Sequence, residues 1–394
     1  MAPNLDPDCS RNEGFVVCPK YQQTLERTWE AVFRGFQKTL FAWGSRSIVT
    51  LQQRVKVIQT FALSKLWYVA QLLPLPNPVL KKIDSRISAF VFQGRPERLK
   101  LSEIENSPEN GGLGLTCLAT KAESLLLRQS LRVLSRPEES CSRHMGFWLG
   151  SFLQQAFPHL AQLGPSVPSL YLQFPLHTAI LEVLEEGLIR EEFNPKKLEE
   201  ATTKLIYKSR INDVLLPPKV EEKFPTVDFQ QLVYPRLSYR ILEPESKDIL
   251  FCIVHGLVHN KDRMFHQRRV QDPYCLLPEC QGKVQDLEHL FCSCYLVNEA
   301  WAWLRSKLLE ILPATPAALA LSYTNLEVLK LEFPADILDQ ECTWLLGNYC
   351  RIVASTVTGR KKILGAEGLA GRVRGCLQRL RGRAVVQPQL FKIF

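Results

Sequence analysis

The residues with the strongest chemical character lie in one stretch: Cys275, Cys280, His289 and Cys294, at the spacing C-x4-C-x8-H-x4-C. Thiolate and imidazole are the donors that Zn²⁺ takes in closed tetrahedral structural sites. The first pair suits a short knuckle whose backbone N–H groups turn toward the sulfurs, and Asp286-Leu287-Glu288-His289 then opens a helix. His289 stands three residues before Cys292 and five before Cys294, so either cysteine could supply the fourth ligand. Cys294 is preferred, with Cys292 packed against the core. Four protein ligands leave no open position for a reactive water, so the expected ion is structural zinc. No His-x-Glu precedes the cysteines, which argues against a deaminase. His144, His159 and His177 stand alone and are read as ordinary histidines.

Charge is the second signal. The net charge is +9, but it is concentrated at the ends. Residues 31–100 carry 12 Lys/Arg against two acids, and residues 351–394 carry 10 against one, while the segment between them is acidic. Such asymmetry points to a polyanionic partner, with nucleic acid before a membrane surface. The candidate phosphate contacts are Lys56, Lys65, Lys81, Lys82 and Arg86, and in the tail Arg372, Arg374, Arg379, Arg381 and Arg383. Trp67 and Tyr68 are candidates for base stacking.

The elements that must carry these groups read as mainly α. Apolar residues recur at helical spacing over 22–43 (Leu25, Trp29, Phe33, Phe36, Leu40) and over 50–72 (Leu51, Val55, Ile58, Ala62, Leu66, Val69). The proline-rich LPLPNP (73–78) stops the second helix, and a third follows with Leu80, Ile83, Ile87 and Phe90 on one side. PENGGLGL (108–115) is a turn, and an amphipathic helix starts near Ala119. A long helix is expected from Leu287 to Leu312, an apolar one near 340–356 and a basic one near 368–384. The best place for a short β-hairpin is YCLLPEC (274–280). The expected divisions are a disordered N-terminus (1–20), a basic helical region (21–136), a helical connector (137–245), a metal-knuckle module (246–312) and a helical tail (313–394).

At 46% hydrophobic and 23% charged residues over 394 positions, the composition is that of a globular protein able to bury a core. It excludes global disorder and a disulfide-stapled miniprotein. No apolar run reaches the ~20 residues of a membrane span. MAPNLDPDCSRNEG lacks a signal pattern, so an intracellular setting is expected, in the nucleus or cytoplasm. The twelve cysteines then read as free thiols and metal ligands rather than disulfides.

The order of these features resembles the C-terminal part of reverse transcriptases from LINE-type (non-LTR) retrotransposons. The matching residues are Trp29, Phe33 and Leu40; LQQRVKVIQTFALSKLWYVAQLLPLP (51–76); FVFQG (90–94); PENGGLGL (108–115); and Asp272, Cys275, Cys280, Glu288, His289, Leu290, Phe291, Cys294 and Trp301. The tail segments TWLLGNYCRIVAS and RLRGRAVVQPQLF look like the end of such a reading frame. The resemblance spans residues 29–135 and 246–304. It implies a thumb-like helical region followed by a zinc-bearing region that grips RNA and DNA, with a separate polymerase or a host protein as a further partner.

Polymerase chemistry needs carboxylates that hold Mg²⁺ beside the incoming triphosphate. The family's tight Asp-Asp pair is absent from this sequence, and Asp336 and Asp339 have neither the flanks nor the spacing of a nuclease. The expectation is therefore a non-catalytic nucleic-acid-binding remnant. The alternative is a helical protein-interaction scaffold whose zinc site is purely architectural.

Overall fold

The computed structural model describes residues 10–12, 15–44, 46, 48, 50–93, 99–134, 139–141, 202–211, 214–215, 217–224, 227–311, 324–331, 339–357, 368–369, 371 and 373–375. The architecture is mainly α, as the periodicity predicts. Most of the connector expected over 137–245 and most of the tail fall outside these residues.

The chain opens with an antiparallel hairpin, β1 (Ser10–Asn12) and β2 (Phe15–Val17), in register Ser10 with Val17. Within the N-terminus expected to be disordered over 1–20, residues 10–12 and 15–20 are therefore ordered, while 1–9 and 13–14 lie outside the described residues. The polar composition conceals ties to the next helix: Val16 N–H donates to Thr28 Oγ1 at 3.0 Å and Cys18 N–H to Thr24 Oγ1 at 2.9 Å. Cys18 is disulfide-bonded, against the expectation of free thiols and metal ligands rather than disulfides. Nine other cysteines, at 117, 141, 252, 275, 280, 292, 294, 342 and 350, are free.

Helix α1 (Tyr21–Gly44) buries Leu25, Trp29, Phe36 and Leu40, and Phe33 packs at the core's margin. Trp29 donates its indole N–H to Pro74 O at 2.8 Å. The single helix expected over 50–72 is instead α2 (Leu51–Val57), a π-helical turn (Ile58–Ala62) and α3 (Ser64–Ala70). Across this junction Ile58, Ala62, Leu63 and Leu66 are all fully buried. Thr50 and Gln53 form a capping box at the start of α2, and Asp248 accepts the Leu51 N–H at 2.7 Å. Arg54 is buried and donates to Val91 O at 2.7 Å, tying α2 to the end of α4 (Asn77–Phe92).

After α5 (Leu101–Glu105) comes the PENGGLGL turn, in which Gly111 has φ 75°. A Cβ there would lie 2.4 Å from the Tyr234 ring, so only glycine admits the close approach. Next come α6 (Leu118–Leu134), α7 (Thr203–Ile211), α8 (Lys219–Lys223), a π turn (Phe229–Val233) and α9 (Tyr234–Ser238). Then come α10 (Pro244–Val254), α11 (Lys261–His266), α12 (Asn298–Ile311), α13 (Asn325–Leu329) and α14 (Asp339–Val357). Helices α10 and α14 pack against each other, and α10 also touches α2, so both halves share one apolar core. No helix among the described residues is long and apolar enough to cross a membrane.

His255, at the end of α10, packs against the rings of Phe251 (4.3 Å) and Tyr234 (6.5 Å, parallel within 3°). Burial pushes its pKa from 6.5 down to about 4. The fold therefore holds the neutral ring, and this contribution is intact above pH 6.5 and lost as the pH falls toward 4. Burial raises Asp84 to about 6 and Glu105 to about 7, which slopes the other way over the same window. A difference measurement isolates the histidine. Relative to wild type, His255→Phe should gain on the order of 2–3 kcal/mol in urea unfolding between pH 6.5 and 4. A pH-independent difference would show that His255 is not held neutral.

Candidate metal centre

The four residues singled out by spacing converge in space. One ligand atom from each of Cys275, Cys280, His289 and Cys294 lies within 4.8 Å of the others, a group that could hold a metal ion. Cys280, His289 and Cys294 are buried and Cys275 is half-buried.

Local structure explains the convergence. Residues 273–275 and 283–285 form the two arms of a tight hairpin: Cys275 N–H donates to Lys283 O at 2.8 Å, Gln285 N–H to Pro273 O at 2.8 Å, and Tyr274 bridges to Val284. The hairpin predicted over 274–280 thus extends to residue 285. Its tip is a 3-10 turn, Pro278–Cys280, followed by Gln281 and Gly282 in left-handed conformation (φ 49° and 71°). This reversal brings the Cys280 sulfur back toward that of Cys275.

The other half begins at Asp286, whose carboxylate accepts the His289 N–H at 2.7 Å. The long helix expected over 287–312 does not form as one piece. Residues His289–Ser293 make a π-helical turn, closed by Cys294 N–H to His289 O at 2.9 Å, and α12 starts only at Asn298. In an α-helix, positions five apart point about 140° away from each other, whereas positions three apart share a face. The π turn and the extended backbone at Cys294 undo that rule. Cys294 joins the cage, and Cys292, 2% exposed, enters the core beside Cys350.

Electrostatics favour a cation here. Burial pushes the Cys294 thiol up to about 12, and the neighbouring sulfurs of Cys275 and Cys280 push the same way. The Cys280 and Cys294 sulfurs are 3.8 Å apart. Three thiolates can share this space only around a positive charge. Burial also lowers the His289 pKa, which favours the neutral imidazole that ligates metals. Its Nδ1 lies 3.4 Å from Ser293 Oγ, while its Nε2 is buried with no hydrogen-bond partner. A buried polar atom left open in this way fits a ligand position. Outer contacts hold the donors: Tyr295 N–H reaches Cys280 Sγ at 3.5 Å and the Gln285 amide reaches Cys275 Sγ at 4.0 Å.

A buttress stands behind the cage. Asn325 donates to Glu288 at 3.1 Å and accepts from Trp301 Nε1 and Arg305 Nη1, each at 2.9 Å. Tyr349 donates its hydroxyl proton to Phe291 O. The matching residues Glu288, Leu290, Phe291 and Trp301 are therefore supports of the cage, and Asp272 pairs with Lys261 at 3.0 Å. Sequence reasoning missed Ser293 and Asn325. Neither stands in a ligand pattern, although Thr324 and Glu327 around Asn325 spell a helix-capping box.

Of the expected phosphate contacts, Lys56, Lys65, Lys81, Lys82 and Arg86 are all exposed. Lys81, Lys82 and Arg86 sit on α4, whose opposite side buries Ile83, Ile87 and Val91. Arg374 is exposed and ion-paired with Glu299 at 2.9 Å. Arg372, Arg379, Arg381 and Arg383 lie outside the described residues. Compared with protein-family models, curated proteins and solved structures, the chain matches none.

The ligand assignment gives a sharp expectation. Titration of the metal-free protein with Co²⁺ should give the visible absorption of a tetrahedral thiolate site, saturating at a single equivalent. Cys294→Ser should abolish that band and Cys292→Ser should leave it. The reverse pattern would assign the fourth ligand to Cys292.

Proposed function

We propose that this chain is a non-catalytic nucleic-acid-binding protein, a fragment or remnant of the C-terminal region of a LINE-type reverse transcriptase. In this reading a structural zinc ion closes the Cys275–Cys280–His289–Cys294 cage, and exposed basic residues on the helical arms contact RNA or DNA phosphates. The observation that carries it is the closure of the four ligand atoms within 4.8 Å, with His289 Nε2 buried and unpartnered. That cage is the most specific part of the resemblance. A group of this composition prefers zinc, because soft thiolates with one imidazole in a closed shell suit its tetrahedral coordination.

The ion would supply rigidity only. The chain's own residues do the rest: Asp286 fixes the turn that presents His289, and Ser293 holds the imidazole's other nitrogen. Folding of the knuckle and metal binding would be coupled, since the thiols must lose their protons to ligate. Lys81, Lys82 and Arg86 would act as fixed cations along one strand of phosphates, with Lys56 and Lys65 beside the neighbouring helix junction. Each neutralised phosphate releases counterions, which makes affinity salt-dependent and largely indifferent to sequence.

A second reading is favoured by one contact. The Arg374–Glu299 pair turns a tail cation back onto the chain itself, as expected of a helical scaffold that binds proteins through an architectural metal site.

Retention of labelled RNA and single-stranded DNA on a filter separates the two. The nucleic-acid reading expects binding whose logarithm falls linearly with the logarithm of salt. The combined change Lys81→Glu, Lys82→Glu and Arg86→Glu should reduce that slope by about 2, at roughly 0.7 per single-strand contact. No retention at low salt, or a slope indifferent to the three reversals, would favour the scaffold.

A further inference from the structure

Beside the basic helices lies an aromatic cluster that the core does not use. Trp43, in the last turn of α1, stacks on Phe61 with centroids 4.6 Å apart and planes inclined by 27°. The Arg46 guanidinium sits 4.3 Å from the same indole centroid. Two partners this close to one ring must take opposite faces. The result is a three-layer stack: guanidinium, indole, phenyl. One face of Phe61 is covered by Trp43, yet the residue is 42% exposed, so its outer face and edge meet solvent.

Phe61 lies on the π turn, away from its buried side. Ile58, Ala62, Leu63 and Leu66 all point inward and are fully buried. Phe61 lies on the outside of the turn, where a large apolar ring gains nothing from the core. π-helical turns of this kind recur at functional sites. The flanking sequence is positive: Lys56 and Lys65, five residues before and four after Phe61, are exposed, and residues 31–100 hold 12 Lys/Arg against two acids.

We propose that the Arg46–Trp43–Phe61 stack is a base-stacking site for an unpaired nucleotide of single-stranded RNA or DNA. The proposal rests on the nucleic-acid reading above and extends it, since phosphate contact alone needs no aromatic ring. A flat, exposed ring extending a π-stack and flanked by lysines presents what single-strand binders use: a platform for a base and cations for its backbone. A duplex keeps its base faces inside and would leave the platform idle. An acidic peptide would answer the lysines and leave the ring unanswered. Tyr68, considered as a stacking residue from its position, instead lies against Phe15 of the hairpin with centroids 5.6 Å apart.

The test uses the full chain and two labelled probes of equal length, an oligothymidylate and an abasic oligomer with the same phosphates but no bases, read by fluorescence anisotropy. Phe61→Ala should weaken oligothymidylate binding by about five- to a hundredfold, with its salt slope unchanged, and leave abasic binding as it was. Phe61→Trp should retain binding. Arg46→Gln, which keeps every ring in place, should weaken oligothymidylate binding about two- to fivefold. Equal binding of both probes by the unmodified protein, unmoved by Phe61→Ala, would overturn the stacking site and leave phosphate binding standing. An equal loss on both probes would mean that Phe61 is structural and would overturn it too. Competition by polyglutamate or anionic vesicles as strong as that by oligothymidylate would transfer the surface to a protein or lipid partner. Binding of neither probe by the unmodified protein would remove the nucleic-acid reading and this proposal with it.

Discussion

Three sulfurs and an imidazole nitrogen converge within 4.8 Å of one another, a group that could hold a metal ion. The local architecture of residues 273–294 is what produces that convergence. The hairpin arms, the left-handed pair Gln281–Gly282, the Asp286 cap and the π turn each bring one donor to a common point. Around them, Trp301, Asn325 and Tyr349 come from α12, α13 and α14, so the cage fastens the C-terminal helices as well as its own loop.

The basic helices connect to this unit through buried polar contacts. Asp248 of α10 caps α2, and Arg54 of α2 fastens α4, which carries Lys81, Lys82 and Arg86. On the far side of α10, Tyr234 closes over Gly111, and the fully buried Arg236 donates to the carbonyl of Leu331, a residue in left-handed conformation. The helix that carries the α4 cations and the elements that hold the cage donors therefore pack onto one apolar core.

Much of this was legible in the sequence, for stated physical reasons. The stripe Leu51, Val55, Ile58, Ala62, Leu66 and Val69 is buried throughout, because apolar period reports which side faces the core. The ligand spacing named the four donors, because thiolate and imidazole are rarely grouped for any other purpose. The π turns were not legible. Their apolar spacing is almost that of an α-helix, and the extra residue shows only in which side chains end up inside. That one ambiguity left Cys292 and Cys294 as open alternatives. The N-terminal hairpin was missed because its support comes from Thr24 and Thr28, polar residues on α1 whose partners are set by the tertiary fold.

The central claim is that the four donors surround a metal ion in a closed thiolate–imidazole shell. X-ray absorption at the zinc edge of the protein as purified addresses it most directly. The account predicts three sulfur neighbours at about 2.3 Å and one nitrogen at about 2.0–2.1 Å, with no water in the shell. A shell of oxygen and nitrogen alone, or purified protein without metal and with reactive thiols at Cys275 and Cys280, would contradict it.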